Sequence, residues 1–162
     1  MPKPNEVPLA PEDSLVRALE IHFRINTYLL ENLAPQCWRA EPPTGKGRTV
    51  AALAAHMHGV HCMWLKAAGA AEIPTPLDKT TLTIDDAKAA LEQSGALLSK
   101  LVPASLASGK RIKNFQPDTT AFVAYLIAHD SHHRGQIGML ARQVGFPLSK
   151  TANFGMWEWG KR

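Results

Sequence analysis

A chain of 162 residues is long enough for one apolar core and short for two, so a single domain is expected. With 45% hydrophobic and 20% charged residues, it falls outside the disordered and fibrous classes. The formal charge of +4 is small, and the nearest approach to a basic cluster, Lys110, Arg111 and Lys113, has no interleaved aromatics, so no nucleic-acid partner is expected.

The N-terminal stretch MPKPNEVPLAPEDS has no apolar run behind its basic residue and does not resemble a secretory signal. No stretch of about 18 uncharged apolar residues follows, which argues against a membrane partner and for a cytoplasmic location. Cys37 and Cys62 could form a single bridge that a chain of this size does not need, so both are read as reduced thiols.

Four helical segments follow one another. The first, from about Glu12 to Asn32, carries Leu15, Leu19, Phe23, Ile25, Leu29 and Leu30 at mixed three- and four-residue spacing. A linker rich in proline and glycine, APQCWRAEPPTGKGR, separates it from the second helix, Val50 to about Ala68, with Thr49 as its cap and Gly69 at its end. The third opens at Thr83, where Asp86 forms a weaker version of the capping box, and meets Pro103, which cannot continue an unkinked helix. SGKRIKNFQP is the one plausible place for a short extended piece. The last helix starts at Asp118 or Thr119 and runs to about Val144, before Gly145 and Pro147. Four long helices without strand signals predict an all-α four-helix bundle. Its two long connections leave room for a crossover or for loops that cover a site.

The segment LIAHDSHHRGQIGML raises the question of chemistry. His129 and His133 are four residues apart, so both rings leave one face of the helix, the spacing by which one helix offers two nitrogens to a metal ion. The alternative is a chance pair on a solvated face. Around them Phe122, Val123, Leu126, Ile127, Ile137 and Leu140 give the helix apolar surface to bury, and polar groups buried beside it need partners. The second helix, AALAAHMHGVHCMWL, supplies a third nitrogen. Helical geometry puts His56 on the side of Val60 and near Leu53, hence inward, and groups His58 with His61 and Cys62 as a rival ligand cluster or a hydrated face. Three imidazoles leave at least one coordination position for water or substrate. Zinc and nickel come first, with iron or manganese also compatible. Asp130 and Gln136 are the polar groups near enough to orient the ligands.

HDSHHRGQIGMLARQVG resembles the last-helix signature of the DinB/YfiT-like metalloproteins, AAHMHGVHCMWLKAA resembles their second-helix segment, and NFGMWEWG resembles an aromatic tail found in part of that group. The likeness spans nearly the whole chain. It implies an up-down-down-up four-helix bundle, often a homodimer, with a divalent metal held by His56, His129 and His133. His132 then matches the extra histidine that is not a ligand. It could contact the site or another subunit, Arg134 and Gln136 could bridge helices or meet a substrate, and Phe154, Trp157 and Trp159 could close the bundle end or wall the metal pocket. Relatives that transfer low-molecular-weight thiols, bacillithiol and mycothiol among them, imply a metal-dependent thiol S-transferase in which activated sulfur attacks an electrophilic small molecule. The alternatives are a metal-dependent hydrolase, with Asp130 as the nearest base, and a non-enzymatic, stress-associated metal-binding dimer.

Overall fold

The computed structural model describes residues 9–162. Four long helices, α1 (Pro11–Glu31), α2 (Val50–Ala68), α3 (Ile84–Ser108) and α4 (Thr119–Gln143), form the bundle. A short α5 (Lys150–Gly155) follows, with one-turn 3-10 segments at Pro35–Cys37 and Trp159–Lys161, and no strand occurs among the described residues. The helix starts follow their capping chemistry. Pro11, whose fixed φ suits a first turn, begins α1. Thr49 and Asp118 accept from the backbone N–H three residues on. Thr83 and Asp86 form the full reciprocal box.

Two apolar clusters make the core. One joins Leu29 and Leu30 of α1, Leu53 and Met57 of α2, Leu91 of α3, and Ile137 and Leu140 of α4. The other joins Leu19 and Phe23, Leu65, Leu98 and Val102, and Phe122 and Leu126. Chain direction can be read from that membership. Helices α1 and α4 run from the second cluster to the first, whereas α2 and α3 run from the first to the second, an up-down-down-up bundle. Both α1 and α2 pack against α3 and α4, which puts α1 and α2 on a diagonal. Because α2 and α3 are parallel, the chain must return along the bundle after α2, which is 19 residues and therefore about 28 Å long. Segment 69–83 is that crossover, which accounts for its length and prolines.

Two local expectations are corrected. Helix α3 continues through Pro103 to Ser108, because Pro103 sits on the solvent side while Val102 and Ser105 stay buried, with the Ser105 hydroxyl 2.8 Å from that of Thr119. SGKRIKNFQP forms no strand. It turns at Asn114 (φ +69°) and drops Ile112 into the core. Gly95, an apparent weakness within α3, is where α1 comes closest. A Cβ there would lie 2.8 Å from the Phe23 ring.

Between the two apolar clusters lies a polar layer. His22 and Asn26 from α1, His61 from α2, Ser94 from α3 and Asp130 from α4 are all buried. Burying that many polar groups is tolerable only if they satisfy one another.

Candidate metal centre

His129 and His133 leave α4 one turn apart, and His56 faces them from α2. One nitrogen from each lies within 4.8 Å of the others. Ring centroids are 4.6 Å apart for His129 and His133, 4.7 Å for His56 and His133, and 5.4 Å for His56 and His129. Two of the rings are already oriented. His129 Nδ1 donates to Asp130 Oδ1 at 3.0 Å, and His133 Nδ1 donates to the Gln136 side-chain oxygen at 2.7 Å. Their Nε2 atoms are left for an ion, the arrangement by which carboxylate and amide acceptors fix a ligand's tautomer. Burial lowers the pKa of His56, assisted by the charges of His133, Arg48 and His129. Burial also lowers that of His133, against its bond to Gln136. Both rings are thereby kept in the neutral form that binds metals. Donor type, convergence and protonation all fit a divalent first-row ion.

Asp130 anchors the site from behind. Its Oδ2 accepts from His22 Nε2 at 3.1 Å, His61 Nε2 at 3.0 Å and Asn26 Nδ2 at 2.7 Å. Burial alone would raise its pKa, but the charge of His61 and the bonds from His129, His22 and His61 hold it well below the usual carboxylate range. Arg134, one turn along α4, completes the layer. A guanidinium only donates, so its bond to His22 Nδ1 at 3.1 Å leaves His22 Nε2 as the N–H that meets Asp130. Arg134 also donates to Asn26 Oδ1 at 2.5 Å. The cation and the carboxylate of α4 are thus joined twice, through His22 and through Asn26. Burial draws the Arg134 pKa down to about 10, with Asp130 opposing.

The His58, His61 and Cys62 face is neither hydrated nor a ligand set. Both histidines are completely buried, and this face, with Leu53, Met57 and Leu65, is the one α2 turns inward. Val60 is only half-buried, and His56 sits half-buried at the rim. His58 Nε2 donates to Thr75 O at 3.0 Å, both rings meet the Ser94 hydroxyl, and burial pushes the Cys62 thiol up. Simple amphipathicity misplaces these residues because the interior of α2 is itself partly polar.

The remaining residues divide by side of α4. His132 is exposed, its ring 5.0 Å from that of His133, and lines a groove of about 780 Å³ with Gln136 and Arg48. Arg134 and Trp157 line a groove of about 400 Å³ on the other side, which none of the three histidines lines. The aromatic tail does not seal the bundle. Phe154 and Trp157 are 73% and 80% exposed. The tail is held instead by Arg162, whose guanidinium lies 3.7 Å over the Tyr28 ring and donates to Gly155 O at 3.0 Å. His22, Asn26 and Ser94 are positioning residues that sequence reading missed. The available signal was a polar pair at i and i+4, His22 and Asn26, inside the apolar stripe of α1.

The DinB family model matches residues 1–157. This chain belongs to the DinB family. Comparison with curated proteins and with solved structures finds no match. In this DinB-family chain, therefore, the three-histidine cluster is read from its own geometry, and that geometry is capable of coordinating a divalent ion. No described helix is long and apolar enough to cross a membrane.

Proposed function

We propose that this DinB-family chain is a YfiT-like, metal-dependent thiol S-transferase that uses zinc or nickel, with iron or manganese as lesser fits, and a low-molecular-weight thiol. The observation that carries this reading is the convergence of three imidazoles, with one groove lined by His56 and another by His132 and Gln136. When bound, the ion supplies positive charge that favours loss of the thiol proton. The chain does the rest. His56, His129 and His133 hold the ion, Asp130 and Gln136 keep His129 and His133 facing it, and the apolar packing of Leu53 and Leu140 beneath the groove limits water.

Asp130 favours thiol transfer over hydrolysis. Four groups occupy its two oxygens, so it is no free base for an attacking water. An open face beside His56 favours chemistry over a purely structural ion. A homodimer in the cytoplasm belongs to the same proposal. The outer face of α4 presents small residues, Ala128, Ser131 and Gly135, beside Met139, which is 57% exposed, and near Trp157.

Metal content of untagged protein tests the centre. About one ion per chain is expected, lost in His56→Ala, His129→Ala and His133→Ala and retained in His58→Ala. A folded wild type that takes up no divalent ion would remove the metal and the transferase together. A loaded protein that does not accelerate reaction of any thiol with electrophiles would leave the structural dimer.

A further inference from the structure

The mouth of the metal centre carries an unused positive rim. Arg48, on the loop that leads into α2, lines two openings. One, of about 420 Å³, contains His56, and the other, of about 780 Å³, contains His132 and Gln136. The triad touches the smaller opening through His56 and the larger through Gln136, the partner of His133. Lys46 joins Arg48 on the larger groove, and Lys79 joins it on the smaller. The loop is shaped to do this. Gly45 and Gly47 adopt φ of +64° and +115°, the Gly45 N–H closes a turn onto Pro42 O at 2.8 Å, and the Thr49 cap fixes the chain immediately after Arg48.

Among the described residues, Lys46 and Arg48 make no ion pair with a carboxylate. Ion pairs among the described residues engage Lys88, Lys161 and Arg162 and leave Lys46 and Arg48 out. Asp78, whose Oδ1 accepts from the Thr80 N–H and hydroxyl at 2.8 and 2.7 Å, offsets part of the charge of the smaller groove, whereas the lining of the larger groove, with Lys46 and Arg48, contains no carboxylate. Three neutral imidazoles bring nothing to offset a divalent ion, and Asp130 stands behind His129, already joined to Arg134 through His22 and Asn26. The ion and the rim are therefore both short of negative charge.

We infer that Arg48 and Lys46 form an anion-binding rim, and that the substrate taken at the three histidines carries an oxyanion, a carboxylate or a phosphate, besides the group that meets the ion. This rests on the metal-centre reading above. A guanidinium with free N–H donors recognises such groups by paired, charge-assisted hydrogen bonds. Arg48 is the specificity element and Lys46 adds a point charge.

The test is an absorbance titration of cobalt-loaded full-length protein with two thiols of equal length, 3-mercaptopropionate and its neutral amide. Cobalt content is read first. The charged thiol is expected to bind about tenfold more tightly in wild type. In Arg48→Gln that advantage falls to about twofold or less, with cobalt content and affinity for the neutral thiol retained, and Lys46→Gln gives a smaller loss. Preferential displacement by inorganic phosphate over acetate assigns the rim to phosphate esters, and the reverse assigns it to carboxylates. Equal affinity for the two thiols at full cobalt loading, or an advantage that survives the double variant, overturns the rim and leaves the metal centre standing. Failure to take up cobalt overturns the centre, and the rim with it.

Discussion

Two groups of three histidines sit side by side in this bundle and differ in what their nitrogens have left to do. In the interior group, His22, His58 and His61, all six ring nitrogens face a protein partner: Asp130, Arg134, Ser94 or the Thr75 carbonyl. In the rim group, His56, His129 and His133, the described residues engage only the two Nδ1 atoms of α4, and the remaining nitrogens converge. Spacing along the helices does not separate the groups, although the interior histidines are the more buried. Hydrogen-bond satisfaction does.

The largest effect should come from the residue shared by both groups. Asp130→Ala removes the acceptor of His22, His61, Asn26 and His129 at once and leaves Arg134 without a counter-charge. It should cost about 3–5 kcal/mol in urea unfolding and abolish metal loading in whatever fraction stays folded. A near-neutral result would mean that the polar layer is loosely hydrated, and the contrast between the groups would collapse.

The next effect separates the groups directly. His58→Ala leaves Ser94 and the Thr75 carbonyl short of a partner in a buried site and should cost about 2 kcal/mol in the metal-free protein. His56→Ala removes a half-buried ring whose nitrogens have no partner among the described residues and should stay within about 0.5 kcal/mol in the same metal-free melt. Equal costs would erase the distinction.

Acid should act on the interior group in two stages. Burial lowers the pKa of His22 and of His58 below 6.5, so the unfolded chain binds protons there before the folded one does. Stability therefore rises with pH across that window and is lost as pH falls from about 6.5 toward the depressed folded values. Asp130, held well below 3.8, contributes a further loss only below that pH. Metal-free melts between pH 7.5 and 5 should show the first stage, and a flat profile would place His22 and His58 in water.

Much of the frame was legible from residue pattern alone. Caps at Thr49, Thr83 and Asp118 placed three helix starts, because a side chain satisfying orphan backbone N–H groups is a local event. The i, i+4 pair on α4 was legible for the same reason. Pro103 misled because whether a lost hydrogen bond matters depends on which side of α3 meets solvent, and that is set by the neighbouring helices.

What the sequence determined by itself, then, was local: where helices begin, that four of them bundle, and that two histidines share a face of α4. His56 was also singled out from the sequence, but as an inward-facing residue; the tertiary structure alone decided that it joins them from the rim. His56, His58 and His61 all lie within two turns, and simple apolar patterning marks the wrong face as buried. Only when α1 brings His22 and Asn26, and α3 brings Ser94, does the interior acquire partners that absorb His58 and His61 and leave His56 at the rim. Hydrogen-bond partners separated by more than a hundred residues, such as His22 and Asp130, have no local signature. They exist only once the helices pack.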